Sequence, residues 1–362
     1  MPSPVRSAAD IILKPFYSFK RRFPLFSYII NRLVTMAVML FILGFAVFGL
    51  MELAPGDIVD KILQDQLLRE SQGMSGQNSQ LINEEQMALR RAELGLDKPF
   101  YIQYFQWLKR VIVHQDLGLM MRSNAPVSFM LFSRLLNSLV LNLISLVFIT
   151  IFSFALGVYF SSKAGTKTDV AVTFFSLVLH AFPGLLLIIL LQLFAFATGW
   201  FPITAYPVDV SFAQAPLKFT FSYLHHLFLP LLAAFLGGIG GTLRMIRATM
   251  LDQLGQPYIT SLRSRGIAEW RIYFSHAFRN TLNPYITSSA NLLAGLFSGS
   301  LILEIIFSYP GIGTLIFEAI KNEDVNLVLA NMMFISFLVL VGMALADILL
   351  ALVDPRIRYG KE

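Results

Sequence analysis

The chain has 362 residues, of which 56% are hydrophobic and only 14% are charged, with a formal net charge of +6. A soluble domain of this size carries about a quarter charged residues. Cysteine is absent from the sequence, which excludes disulfides, thiol nucleophiles and cysteine-ligated metals. The apolar residues fall in long blocks, and blocks of roughly 20 are what a hydrocarbon layer about 30 Å thick requires of a spanning helix. The composition therefore predicts an all-α polytopic membrane protein.

Six transmembrane helices are predicted, over residues 28–53, 135–160, 170–201, 224–246, 285–306 and 327–353. The first follows a long basic segment and lacks a small-residue cleavage pattern, so we expect an uncleaved anchor. The other parts are an N-terminal tail, an outer insertion, a core and a C-terminal tail, over residues 1–27, 54–133, 134–353 and 354–362.

Basic residues in the connecting segments predict the orientation. With the N-terminus inside, the inner segments (1–32, 161–169, 244–283 and 354–362) hold 17 Lys and Arg against 6 Asp and Glu, and the rest holds 11 against 16. Both termini are therefore predicted to be cytoplasmic. The basic balance reflects topology, which disfavours a nucleic-acid partner, since that needs a concentrated basic face.

The outer insertion contains one clear amphipathic pattern. A predicted helix carries apolar residues at helical spacing at Tyr101, Tyr104, Phe105, Leu108 and Val111. We expect this face to pack within the outer insertion or to receive a partner protein. Residues 72–80 are rich in Gly, Ser, Gln and Asn and are not assigned a role.

The inner segment 247–283 carries the most informative pattern. Pro257 is suited to begin a helix there, and Gly266 to end it after two turns. Tyr258, Ile259 and Leu262 share one face of that helix, while Arg263 and Arg265 point elsewhere. A second helix is predicted to bury Trp270, Tyr273, Phe274, Ala277 and Phe278. Two short amphipathic helices broken by glycine predict a rigid knob that docks into a partner protein.

This segment resembles the EAA loop of binding-protein-dependent ABC importer permeases, in the form of the dipeptide/oligopeptide branch. The similar residues include His276-Ala277-Phe278-Arg279-Asn280 in the loop. Elsewhere they are Leu53-Ala54-Pro55-Gly56-Asp57, Leu94-Gly95-Leu96-Asp97-Lys98-Pro99, Asp116-Leu117-Gly118, Tyr309-Pro310-Gly311-Ile312-Gly313 and Asp354-Pro355-Arg356-Ile357-Arg358. The name-giving Glu-Ala-Ala falls on Thr260, Ser261 and Leu262, which departs from the wider family.

The resemblance implies a type I ABC importer permease fold in a prokaryotic cell (inner) membrane. It implies a second homologous permease subunit, two ATP-binding subunits that carry ATP and Mg, and an extracytoplasmic substrate-binding protein. The ATPase-coupling residues it implies are Tyr258, Ile259, Leu262, Arg263, Arg265 and Gly266. The substrates of this branch include di- and oligopeptides, nickel chelates and sugars.

The chain itself shows no phosphate-binding loop of the Gly-x-x-x-x-Gly-Lys-Ser/Thr type, so we expect a transport subunit without its own ATPase site, cofactor or metal. Polar residues in predicted spans are candidates for the translocation path, or else for helix contacts. They are Asn142, His180, Ser288, Asn291 and Ser298. The glycines of residues 237–241 are predicted to allow close helix packing.

The rival interpretation is a secondary transporter driven by an ion gradient. Such folds use broken helices at mid-membrane and buried carboxylates that bind the coupling ion. The carboxylates here, such as Glu52, Glu304 and Asp347, fall near predicted helix ends, where we expect them to reach solvent or to tie helices together. That distribution and the large inner segment favour the importer subunit.

Overall fold

The computed structural model describes residues 24–53, 97–120, 123–210, 212–287 and 300–353, with isolated positions at 59, 88–89, 91–92 and 295–296. Its named elements are helices. They are α1 (Pro24–Glu52), α2 (Phe100–His114), α3 (Val127–Ser161), α4 (Lys167–Ala181), α5 (Gly184–Thr198), α6 (Pro216–Leu254), α7 (Pro257–Ser264), α8 (Glu269–Arg271), a π-helical segment (Ile272–Ala277), α9 (Phe278–Thr287), α10 (Leu301–Ile306), α11 (Ile312–Lys321) and α12 (Val325–Val353).

Four described helices are long and apolar enough to cross a membrane: Leu33–Glu52, Val127–Ser161, Pro216–Leu254 and Val325–Leu345. Helices α4 and α5 make a fifth span only if they are taken together. Much of the predicted span 285–306 lies outside the described residues. The fold is thus that of an all-α multi-pass membrane protein, and the count of six spans stays a prediction.

The predicted continuous helix 170–201 is broken in the structure. Helices α4 and α5 meet at an angle of 93°. Phe182, between them, has extended backbone angles (φ −70°, ψ 129°). The cause is Pro183, because a proline ring disfavours the helical conformation of the residue before it. Pro183 is visible in the sequence, but the span 170–201 was predicted from the unbroken run of apolar residues around it.

Helix α2 packs against α1 and α12 and does not form a separate outer layer. Tyr104 is fully buried, and its hydroxyl donates a hydrogen bond to the carbonyl of Phe41 on α1 (2.8 Å). Leu108 and Val111 pack inward as predicted. Tyr101 and Phe105 are about half exposed, contrary to the predicted face, because the buried stripe passes through Trp107.

Helix α6 connects two separate apolar clusters. At 39 residues it is about 58 Å long, at a rise of 1.5 Å per residue. Its first half belongs to the α5 cluster, which we define by the buried residues Ile188, Ala195, Leu227, Leu229, Ala233, Leu303, Phe307 and Tyr309. Its last turns belong to the knob cluster, defined by Val158, Ile246, Met250, Ile259, Ile272 and Ala277. The two ends of α6 therefore contact different sets of residues, so a displacement at one end acts on different contacts from a displacement at the other.

Two glycines of α6 bring neighbouring helices close. A Cβ at Gly238 would lie 2.5 Å from Cδ1 of Ile149 on α3. A Cβ at Gly240 would lie 2.6 Å from the carbonyl oxygen of Ser176 on α4. At these two positions the predicted close packing is confirmed. Gly237, by contrast, faces open space within this chain.

Candidate functional site

The knob, residues 257–278, begins with α7 and a defined helix end. Gly266 has a positive φ of 71°. Its N–H donates to the carbonyl of Arg263 (2.9 Å), and the N–H of Ile267 donates to that of Leu262 (3.3 Å). These two bonds form a Schellman motif, which satisfies the last carbonyls of a helix. The prediction that Gly266 ends this helix is confirmed.

The apolar face of α7 holds the knob on the end of α6. Ile259 is fully buried in the knob cluster, and Tyr258 and Leu262 pack around it. The Tyr258 hydroxyl donates to Oε1 of Gln253 (3.2 Å) and accepts a hydrogen bond from Nδ2 of Asn280 (3.2 Å). These side chains therefore orient the knob within this chain.

The last turn of α7 and the residue after it carry two exposed arginines. Arg263 and Arg265 are both exposed. Nε and Nη2 of Arg263 donate to the two carboxylate oxygens of Glu269 (2.8 and 3.2 Å). Hydrogen bonding to the Arg263 guanidinium lowers the pKa of Glu269 below its ordinary value. The ion pair braces α7 against α8 across the Gly266 turn.

The return helix of the knob contains one π-helical turn, Ile272–Ala277. Ile272 and Ala277 are fully buried, whereas Trp270 (62%) and Phe274 (55%) are exposed, contrary to the predicted stripe. The prediction assumed α-helical periodicity, but a π turn brings residues five apart onto one face. Arg271 lies over the Trp270 ring (5.4 Å to the centroid).

Beside the knob, an ion pair joins α6 to α4. Nε and Nη2 of Arg247 donate to Oδ1 and Oδ2 of Asp169 (2.6 and 2.7 Å), and the N–H of Gly165 donates to Oδ2 (3.0 Å). The Asp169 side chain is only 6% exposed and that of Arg247 is 20% exposed. No pattern in the sequence predicted this pair.

A second polar site surrounds Glu304, which is fully buried. Its Oε1 accepts from the Ser138 hydroxyl (2.8 Å), and its Oε2 accepts from the N–H of Thr314 (3.0 Å). The carboxylate lies against Gly311, where a Cβ would overlap it. The prediction that Glu304 ties helices together is confirmed, but it does so from the interior without reaching solvent.

Further hydrogen bonds join the segment 300–314 to α3 and α5. Nδ2 of Asn137 donates to the carbonyl of Pro310 (2.8 Å), and the Tyr309 hydroxyl donates to the carbonyl of Asn137 (2.7 Å). Burial raises the pKa of the Tyr309 hydroxyl, which keeps it protonated as a donor. Gln192 on α5 donates to the carbonyl of Ile306 (2.6 Å). The segment 300–314 is thus fixed to α3 through the Tyr-Pro-Gly-Ile-Gly motif and to α5 through Ile306.

The translocation-path candidates are only partly described. Nδ2 of Asn142 donates to the carbonyl of Leu296 (3.0 Å), which is a helix contact. His180 is exposed on α4, one turn from the Pro183 break, and its ring lies beside Gly241. Ser288, Asn291 and Ser298 lie outside the described residues. Among the described residues, no group of three or more His, Asp or Glu could hold a metal ion.

Long apolar helices joined by an exposed helical knob define a multi-pass membrane protein. The family model "Binding-protein-dependent transport system inner membrane component" matches residues 150–359, and the model of the corresponding N-terminal part matches residues 25–155. The chain belongs to this family of inner membrane transport components.

Individual relatives are similar over nearly their whole length. The oligopeptide transport system permease protein AppB of Bacillus subtilis is 32% identical over 338 residues, covering 92% of this chain and 99% of AppB. A putative peptide transport system permease protein of Brucella abortus is 33% identical over 332 residues, covering 91% and 98%. A probable peptide ABC transporter permease protein of Sinorhizobium fredii is 28% identical over 333 residues, covering 92% and 99%.

Proposed function

We propose that this chain forms half of the translocation pathway of an ATP-driven peptide importer. The names of its relatives support peptides, either di- or oligopeptides, as the cargo. The observation that carries the coupling role is the knob: a short helix with a defined end, whose apolar face is buried on α6 and whose C-terminal arginines are exposed. Such a surface suits a rigid contact with a moving partner.

The partners in this proposal are a second permease subunit, two ATP-binding subunits that hold ATP and Mg, and an extracytoplasmic binding protein. The chain has no ATPase site of its own, and both termini and the knob lie in the cytoplasm. Of the coupling residues, Arg263 and Arg265 meet the ATPase directly because they are exposed. Tyr258, Ile259 and Leu262 act by fixing the knob on α6, and Gly266 by ending the helix.

In the transport cycle, ATP binding closes the ATPase subunits and pulls the knob. Because the knob cluster includes the last turns of α6, that displacement reaches the membrane helix directly. Hydrolysis of ATP then releases the ATPases and returns the knob. The chain itself contributes no covalent step.

The test is reconstitution of the chain in lipid nanodiscs with a partner permease, candidate ATPases and a candidate binding protein. We expect the ATPases to co-purify with it, and ATP hydrolysis to rise when the binding protein carries a peptide but not when it carries a nickel chelate or a sugar. Stimulation by one of the latter alone would overturn the peptide assignment. Uptake that depends on an ion gradient and not on ATP would overturn the importer class.

A further inference from the structure

We propose that the Arg247–Asp169 ion pair joins α4 to the knob, so that both move as one body when the knob is displaced. The inference rests on the coupling role of the knob proposed above. It assigns Arg247 and Asp169 as positioning residues, which touch neither ATP nor cargo. The part of the chain that moves with the knob then includes α4 up to its break at Pro183.

The first observation is where Arg247 lies on α6. It stands between Ile246 and Met250, which are both fully buried in the knob cluster. The turn of α6 that carries the knob is therefore also the turn that carries Arg247. Its two parallel bonds to Asp169 fix orientation as well as distance, as bidentate arginine–carboxylate pairs do.

The second observation is a backbone contact further along the same two helices. Gly240 lies against the carbonyl of Ser176, closely enough that a Cβ would come within 2.6 Å of that oxygen. Ser176 follows Asp169 by seven residues, and Gly240 precedes Arg247 by seven. The helices therefore run antiparallel in register over two turns, held by an ion pair at one end and close packing at the other.

The third observation is that this contact ends at a bend. The N–H of Phe182 bonds the carbonyl of Val178 in α4, and the N–H of Leu187 bonds that of Pro183 in α5. The 93° bend lies between these two bonds. Beyond it, Ile188 belongs to the α5 cluster, which shares none of its defining residues with the knob cluster. Residues 182–183 are thus suited to act as the hinge between two bodies.

Spin-label distances test the two-body arrangement directly. Because the sequence has no cysteine, introduced cysteines are the only labelling sites in this chain. Suitable exposed positions are Val170 on α4, Ser264 on the knob and Phe196 on α5. In the assembled transporter, we expect the 170–264 distance to stay constant between the nucleotide-free and ATP-trapped states while the 170–196 distance changes. A constant 170–196 distance, or a 170–264 distance that changes as much, would overturn the inference.

Variants test the ion pair itself. In Asp169→Asn, we expect full assembly and basal ATP hydrolysis, a broadened 170–264 distance, and cargo-stimulated hydrolysis reduced about tenfold, within the usual range of coupling free energies. Arg247→Lys keeps the charge but loses the bidentate geometry. Its 170–264 distance distribution and its cargo-stimulated hydrolysis should lie between those of Asp169→Asn and wild type. The control is Asp252→Asn, which removes an exposed charge from α6, the helix that carries Arg247, and should behave as wild type.

The two proposals fail in different ways. If wild-type chain does not recover ATPases or respond to cargo, the proposed function is wrong. If wild type responds, and Asp169→Asn and Arg247→Lys respond equally well with an unbroadened 170–264 distance, only the ion-pair inference is wrong. If Asp169→Asn fails to accumulate in the membrane, the Arg247→Lys variant and the spin-label distances in the wild-type chain still test the ion-pair inference.

Discussion

The hydroxyl of Ser138 lies 2.8 Å from the carboxylate of Glu304, and both residues are fully buried. The same hydroxyl oxygen accepts a hydrogen bond from the N–H of Ile312 (2.8 Å). One side chain of α3 thus satisfies two groups of the segment 300–314. Buried polar groups are expensive when unpaired, so this arrangement fixes that segment on α3 in a single geometry.

Replacing Ser138 by alanine should therefore destabilise the subunit. The N–H of Ile312 would lose its partner, and Oε1 of Glu304 would keep only the longer bond from the N–H of Ser300 (3.4 Å). A buried unsatisfied group costs about 1–3 kcal/mol. We expect a lower thermal unfolding temperature for the purified chain. Ser128→Ala, an exposed position on the same helix, is the matched control and should unfold as wild type. Equal unfolding temperatures for both variants would contradict the assigned hydrogen bonds.

Two glycines of α6 allow a similar comparison within one helix. Gly240→Ala forces a methyl group against the Ser176 carbonyl, and overpacking of this kind costs about 1–3 kcal/mol. Gly237→Ala meets open space and should be neutral or stabilising, because alanine favours helix by about 1 kcal/mol over glycine. Urea or thermal unfolding of the purified subunit measures both. An equal loss of stability in the two variants would mean that the close contact between α6 and α4 at Gly240 is wrongly assigned.

Local backbone rules explain what the sequence predicted well. Pro257 and Gly266 bound the first helix of the knob because each has a conformational preference that acts within a few residues. The apolar face of that helix was also predicted, because helical periodicity fixes it. These features need no knowledge of the rest of the chain.

Features that depend on distant residues were not predicted. Asp169 and Arg247 are 78 positions apart, and no spacing rule pairs them. Glu304 and Ser138 are 166 positions apart, so only the tertiary structure reveals that the carboxylate is buried and satisfied. The predicted apolar stripe through Trp270 was wrong for a local reason, because a π turn changes the helical period that the prediction assumed.

The Arg263–Glu269 pair predicts a weak acid dependence of the knob. The folded-state pKa of Glu269 is lowered, so the pair stabilises the knob above the ordinary carboxyl pKa and ceases to do so as the pH falls through the lowered value. Because both groups are exposed, the effect should be on the order of 0.5 kcal/mol. Hydrogen exchange of amides 257–278 should accelerate slightly more at acidic pH in wild type than in Glu269→Gln, after correction for intrinsic rates. Identical pH dependence would mean that the pair is not formed.

Orientation can be tested with single cysteines, since the chain has none of its own. A cysteine at Gly76 in the outer insertion should react with a membrane-impermeant maleimide in intact cells. A cysteine at Ser264 on the knob should react only after the membrane is permeabilised, because the excess of basic residues places that segment inside. The reverse pattern would overturn the predicted topology and, with it, contact between the knob and a cytoplasmic ATPase.

The strongest test of coupling is Gly266→Ala. Gly266 has a φ of 71°, and a left-handed conformation costs a residue with a Cβ about 1–2 kcal/mol. No atom lies within 4 Å of the added Cβ, so this strain is confined to the backbone of the turn. Gly255→Ala is the matched control, because Gly255 also follows a helix but has a φ of −78° and neighbours no closer than 3.7 Å.

The strain is small beside the stability of a membrane subunit, so both variants should reach the membrane in normal amounts. If Gly266→Ala relieves its strain by bending the knob, docking must restore the strained geometry, and 1–2 kcal/mol corresponds to a loss of about 5- to 30-fold in affinity for the ATPase. We expect weaker recovery of ATPase on purification and poor cargo-stimulated hydrolysis for Gly266→Ala, with wild-type values for Gly255→Ala. A knob that only connects two helices would tolerate both changes, and wild-type recovery and hydrolysis in Gly266→Ala would establish that outcome.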